Sequence, residues 1–191
     1  ERTAQARHRG AQLDADKVEF RHVLEEFQRV ALAHPGISFK LVHNENEIHN
    51  LPGAKLRQRI GHLFGSRMDN RLVPVSEETQ IATISGFICK PEFAKKSRGE
   101  QYFFVNDRFI KSPYLHHAVM TAFEGLLKTE MYPGYFIFLQ VPPHTLDVNI
   151  HPTKTEVKFE DEQSLYAILR SAIKHSLGQF NVRPVLDFDH D

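Results

Sequence analysis

Leu146-Asp147-Val148-Asn149-Ile150-His151-Pro152-Thr153-Lys154-Thr155-Glu156-Val157-Lys158-Phe159 alternates apolar and polar side chains at its two ends and breaks the alternation in the middle. Leu146, Val148 and Ile150, then Val157 and Phe159, have the period of strand, short polar loop, strand. Pro152 has no amide hydrogen to give a ladder and ends the first strand. The loop after it lifts one cation, Lys154, between the hydroxyls of Thr153 and Thr155. A lysine on a short loop between buried strands is a point charge that can meet a phosphate. A solvated hairpin lysine is the ordinary reading of the same spacing, and the pattern alone does not separate the two.

Outward from this run, strands and helices interleave. Tyr135–Val141 upstream is almost wholly apolar and reads as a central strand covered on both faces, broken by Pro142-Pro143. Glu162–Leu177 downstream has helical periodicity and stops at Gly178, and 181–191 reads as the start of an acidic linker. Further upstream, Pro113 opens a helix running to about Lys128. Gln101–Val105 and Arg108–Lys111 flank the turn Asn106-Asp107. Lys90–Glu100, with Lys95, Lys96 and Arg98, is the segment expected to be loosest. Thr79–Cys89 alternates as a long strand, and Leu72–Val75 reads as a short edge strand. Leu56, Ile60, Leu63 and Phe64 mark a helix before it, and Ile37–Leu41 with Glu47–Leu51 forms a hairpin about Asn44-Glu45-Asn46. From Asp16, Val18, Val23, Leu24, Phe27, Val30 and Ala31 fall on one helical face, ended by Pro35. Residues 1–15 are polar and aperiodic, and are set apart as a leader that is disordered or helical only by extension. The pattern therefore predicts one domain over 16–180, an α+β (α/β sandwich) fold with a mixed sheet and helices packed on one face.

Composition narrows the function classes. Of 191 residues, 41% are hydrophobic, enough for a substantial core. The 24 basic and 24 acidic residues cancel, so any nucleic-acid contact must come from a local patch. One cysteine, Cys89, rules out an internal disulfide framework and reads as a small buried strand residue. No apolar run approaches the roughly 20 residues of a membrane span, which points to a soluble cytoplasmic domain. The 12 histidines include no HExxH and no Cys/His pairing, and the adjacent His116 and His117 point to different sides of their helix, so no metal site is expected.

Two runs connect the chain to a family. DVNIHPTKTEVKF closely resembles the DVNVHPxKxEVRF signature of MutL-type DNA mismatch repair proteins. GEQYFFVNDRFIKSPYLHHAVMTAF (99–123) is similar to the family's QYxFVNGRxVxxxxLxxAVxxAY segment, at the same distance upstream. The resemblance spans about residues 17–180 and implies the transducer domain of the gyrase, heat-shock chaperone and MutL class of ATPases. That fold includes a left-handed β-α-β crossover, against the general rule. The family's LFxNxPARxKFL segment has no match in the leader.

By this resemblance, Lys154 reaches the γ-phosphate of ATP bound in the protein's own N-terminal ATPase domain, and Asn149 and His151 support its loop. Phosphoryl transfer runs on positioning and charge stabilisation, which a lysine supplies. Arg108, Lys111, Lys95, Lys96 and Arg98 form one basic patch lining a groove that holds DNA without reading its sequence; for Lys95 and Lys96 a solvated loop is an equal reading. Asp107 stands where the family usually has glycine, a tolerated departure. The implied whole is a homodimeric ATPase using ATP and Mg2+ that signals to a mismatch-recognition protein and a downstream repair nuclease or helicase, nucleoid-associated when on DNA. With no GxxxxGK[ST], no Asp-x-Gly-x-Gly and no nuclease motif, this chain alone is expected to bind no nucleotide and to hydrolyse none. A different-class alternative is a stand-alone nucleic-acid-binding module, stacking bases on Tyr102, Phe103 and Phe104.

Overall fold

The computed structural model of the protein describes residues 2–148 and 155–186, with side chains described over 11–148 and 155–180. Where the apolar pattern suggested one body from residue 16, the chain forms two compact units, Glu1–Leu63 and Phe64–Asp191.

The first unit opens with α1, Arg2–Ala33, so residues 2–15 are helical, as an extension of the helix that follows. The alanines, glutamines and arginines there are good helix formers, and no proline interrupts them. The inward stripe of α1 is narrower than its apolar residues suggested. Ala31 and Leu32 are fully buried, and Leu24 and Phe27 are half-buried, whereas Val18, Val23 and Val30 are exposed. Leu24, Phe27 and Ala31 follow the i, i+3, i+7 rule, and Val23 and Val30 each sit one residue, about 100°, off that stripe. Phe27 meets the hairpin of β1 (Phe39–His43) and β2 (Asn46–Leu51), stacking on His49 at 5.5 Å and meeting Phe39 edge-on at 6.2 Å. The hairpin turns on Asn44 and Glu45, both at positive φ (48° and 64°), the geometry that suits the strands' right-handed twist.

From α2 (Leu56–Phe64), Arg59 points inward and is completely buried. Its guanidinium donates to the carbonyls of Ala31 (2.6 Å), Pro35 (2.9 Å), Ile37 (2.6 Å) and Pro52 (2.8 Å). These include carbonyls that the end of α1 leaves without helical partners. One side chain thus fastens the helix end to both connectors of the hairpin.

The second unit is built on a five-stranded sheet in the order β3-β4-β7-β5-β6: β3 Leu72–Glu78, β4 Thr83–Cys89, β5 Gln101–Val105, β6 Arg108–Ile110 and β7 Tyr135–Gln140. β5 and β7 run parallel, and every other pair is antiparallel. Between them the chain passes through β6 and α3 (Pro113–Ala122), which makes the parallel crossover. β3 lies at the edge, where Pro74 is tolerated. β4 starts four residues later than the alternation suggested, because the Thr79 hydroxyl accepts the amides of Ile81 and Ala82 and closes the β3–β4 turn. Gly86 is at φ 118°, and a Cβ there would lie 2.0 Å from the Phe136 carbonyl oxygen, so the β4–β7 pairing requires glycine.

Helices α3 and α4 (Glu162–Leu186) cover one face of this sheet. Leu115, Val119, Leu165, Leu169 and Ile173 pack against Val75, Ile84, Val105, Ile137 and Leu139. The helices differ in length from expectation. α3 stops at Ala122, before Gly125 turns at φ 81°, and α4 passes through Gly178 to Leu186. The other face is aromatic: Tyr102 stacks on Phe136 at 5.5 Å, and Phe104 on Phe138 at 4.6 Å. Cys89 is buried in β4, and burial together with nearby Glu100 raises its thiol to about 12, which makes it inert at neutral pH.

Candidate functional site

The described ends of the signature run, 146–148 and 155–159, meet on a very short ladder. β8 (Leu146–Asp147) and β9 (Lys158–Phe159) pair antiparallel, Leu146 opposite Phe159 and Asp147 opposite Lys158. Both strands are shorter than the alternation suggested, since Val148 and Val157 lie outside the ladder. Apolar anchoring does the rest: Phe159 is buried in the main core, and Leu146 and Val157 pack against it. Below the stem, the Glu160 amide donates to the Thr145 carbonyl at 2.8 Å, and the Thr145 hydroxyl donates to Pro142 at 2.7 Å. Asn149, His151 and Lys154, the residues expected to serve ATP, lie outside the described residues.

The β5–β6 hairpin grips both sides of this segment. Asn106 and Asp107 form its turn at positive φ (47° and 65°), so aspartate does adopt the conformation usually given to glycine. The Asn106 side chain donates to the Val141 carbonyl and accepts from the Val141 amide, each at 3.0 Å, while its own amide donates to Leu139 at 2.9 Å. At the other end of the hairpin, the Lys111 amide donates to the Thr155 carbonyl at 2.8 Å, one residue past Lys154 in sequence. Arg108 and Lys111 themselves are exposed.

The remaining basic candidates sit elsewhere. Lys95, Lys96 and Arg98 precede the start of β5, and Arg108 follows its end, about 13 Å away along the strand at the usual rise. Arg108 thus lies one strand length from Lys95, Lys96 and Arg98, while Lys111, one residue past the Phe103–Ile110 pair, comes back toward the start of β5. Nor is Lys90–Glu100 loose. It contains a short 3-10 turn at Pro91–Phe93, with the Arg71 guanidinium 4.8 Å over the Phe93 ring. Lys95 exchanges two backbone hydrogen bonds with Tyr132, at 3.0 and 2.7 Å. The Lys95 ammonium binds Glu100 at 2.5 Å, and Arg98 lies 4.7 Å over the Tyr132 ring. Lys96 is exposed.

Other candidates are reassigned by burial. Tyr102, Phe103 and Phe104 are 7%, 3% and 0% exposed. Alternation sends Phe103 into the helix-covered core and the other two into the aromatic face, so none offers a ring to a base. His116 and His117 do point to different sides, but His116 is half-buried rather than a surface residue. Its Nδ1 is 2.8 Å from the Tyr135 hydroxyl, and His117 Nδ1 is 2.7 Å from that of Tyr166. Burial, then the charges of Arg98 and His117, lowers the His116 pKa. Burial raises that of Tyr135. Among the described residues no three His, Cys, Asp or Glu side chains gather as a metal site, and no helix is long and apolar enough to cross a membrane.

Comparison with known proteins agrees with this architecture. A family model described as "DNA mismatch repair protein, C-terminal domain" matches residues 60–178. The chain is 68% identical over 94% of its length to the DNA mismatch repair protein MutL of Flavobacterium johnsoniae, and 66% identical over 94% to that of Christiangramia forsetii. It spans 28% and 29% of those relatives. Among solved structures, the N-terminal domain of a DNA repair protein superposes with a TM-score of 0.74 at 19% identity, covering 88% of this chain and 56% of that one. The ATPase domain of the bacterial mismatch repair endonuclease Aquifex aeolicus MutL gives 0.56 at 19% identity, covering 82% and 52%. The structural likenesses establish a shared fold, and the family model with the curated relatives establishes the lineage: this chain belongs to the MutL family of DNA mismatch repair proteins.

Proposed function

We propose that this chain is the transducing part of a larger mismatch repair ATPase. Lys154 meets the γ-phosphate of ATP held by the protein's N-terminal ATPase domain, with Asn149 and His151 supporting its loop. Arg108 at the turn of the β5–β6 hairpin and Lys111 at its open end contribute to a groove that holds duplex DNA without reading its sequence, and Lys95, Lys96 and Arg98 extend it before the start of β5. Loss of the γ-phosphate releases the loop and changes the surface offered to a mismatch-recognition protein and a repair nuclease or helicase. The working protein is a cytoplasmic homodimer. Mg2+ enters with ATP in the full-length protein, and bound ATP would supply the phosphate that the lysine meets.

The observation that carries this reading is the bond from the Lys111 amide to Thr155. It ties the cationic hairpin to the exit of the signature loop and so supports one segment serving nucleotide and DNA together. The neighbour named as an ATPase domain supports a nucleotide role for the full-length protein.

Lys154→Ala in the full-length protein should lower steady-state ATP hydrolysis on the order of 10-fold to 1,000-fold, the range for loss of one transition-state charge contact. An unchanged rate in a folded variant would make Lys154 an ordinary loop lysine and remove the nucleotide half of the proposal.

A further inference from the structure

One concavity of the second unit is acidic where the proposed DNA surface is basic. It is a cleft of about 630 Å³ walled by three segments: the β3–β4 turn, the chain leaving β7, and the start of α4. Its floor is apolar, with Val141, Phe159 and Leu165 buried and Pro142 half-buried. Ile81, on the β3–β4 turn, lines the cleft and is 39% exposed, so apolar surface reaches the mouth. Glu160 and Asp161 stand at that mouth, both exposed, and no lysine or arginine is among the described lining residues. Hydrogen bonds from the Ser164 side chain and amide hold the Asp161 carboxyl below its ordinary range, which keeps it ionised at neutral pH. Gln80 and His144 add hydrogen-bonding groups. Nearby cations are directed elsewhere. Lys158 stands opposite Asp147 in the β8–β9 ladder, and Arg108 lies on β6, two strands and about 10 Å from β7.

We propose that this cleft docks an extended peptide segment of a partner protein, one carrying a large apolar side chain with a lysine or arginine one or two residues away. The volume lies within the range of ligand clefts and holds one or two large side chains rather than the face of a helix. The floor takes the apolar side chain, whose burial supplies most of the affinity. Glu160 and Asp161 meet the cation, which fixes orientation and excludes other sequences more than it adds affinity. Gln80 offers a donor and an acceptor to the peptide backbone. Charge decides against other occupants. DNA, nucleotide and anionic lipid would each bring negative charge to two carboxylates in a mouth without lysine or arginine. The inference requires neither the Lys154 role nor the DNA role proposed above.

The test uses the full-length protein and a phage-displayed library of short random peptides, followed by fluorescence anisotropy on synthetic copies of the selected sequences. Selected peptides should share an apolar residue with a lysine or arginine within two positions. Ile81→Ser should weaken their binding about 10-fold, and so should Glu160→Lys. Replacing the peptide's cation with glutamate should restore binding to the Glu160→Lys protein and abolish it in the original, an exchange that misfolding cannot produce. Both positions are exposed, so ATP hydrolysis and duplex affinity should stay within about 2-fold in each variant. Selection of no peptide, selection without the cation, or peptides indifferent to both substitutions overturns the inference. Ile81→Cys tests whether the cleft is open: its thiol should react with maleimide as an exposed thiol does, and a selected peptide should slow it. Protection without peptide means that another part of the protein or a second copy covers the cleft, and overturns the inference. Protection by duplex DNA would assign the cleft to the nucleic-acid surface and overturn it as well.

Discussion

Arg59 shows how much one residue can organise. Its guanidinium is fully buried and donates to four backbone carbonyls at 2.9 Å or less, drawn from the end of α1 and from the segments flanking the β1–β2 hairpin. A planar fork with several donors can reach all of them, and an ammonium on a flexible stem cannot. Arg59→Lys should cost about 2–4 kcal/mol of stability, the range for charge-assisted hydrogen bonds lost with their acceptors left buried. Urea unfolding measures this, and a loss below about 0.5 kcal/mol would mean that other groups hold those carbonyls. Nothing in the sequence marks this arginine, because its partners are backbone atoms whose positions depend on the fold. Asp107 is the opposite case: its place in a two-residue turn, and so its positive φ, was legible from the flanking alternation.

α3 is fastened at the level of elements by two side-chain pairs, His116 to Tyr135 on β7 and His117 to Tyr166 on α4. The lowered pKa of His116 gives the first pair a pH dependence. Below its ordinary value of 6.5 the unfolded chain takes up a proton that the folded chain resists. Stability is therefore complete above that pH and declines as pH falls through it. His116→Phe should lose the Tyr135 bond at every pH yet show a smaller drop in denaturation midpoint between pH 7.5 and pH 5 than the original protein. An identical drop would place the acid sensitivity elsewhere. Strand assignment succeeded for β5, beside its two-residue turn, and for β7, from its continuous apolar run, while alternation overran for the signature strands. There Val157 packs onto the core from outside the ladder, so a period of two reports burial rather than ladder bonds.

For the whole molecule, balanced charge means that duplex affinity depends on local cations. The two cationic groups differ in freedom, since Lys95 already binds Glu100 and Arg98 rests on Tyr132, while Arg108 is exposed at the hairpin. Arg108→Ala in the full-length protein should weaken duplex binding and reduce the slope of log K against log salt by about 1, one phosphate contact's worth. Lys95→Ala should change the slope by less than about half that amount. Equal slopes for Arg108→Ala and the original protein would exclude a phosphate contact at this arginine.

By itself the sequence determined the lineage, the mixed α+β class, most elements of the second unit and the hairpin turns, because periodicity, turn chemistry and two long motifs are local properties of the chain. Tertiary structure alone decided the rest. It divided the chain near residue 63, set Arg108 a strand length from Lys95, Lys96 and Arg98, buried the aromatic run and set Asn106 against Val141. Each of these depends on which distant backbone groups meet, and the pairing of strands 34 residues apart is settled by the packing of the whole sheet rather than by any local pattern.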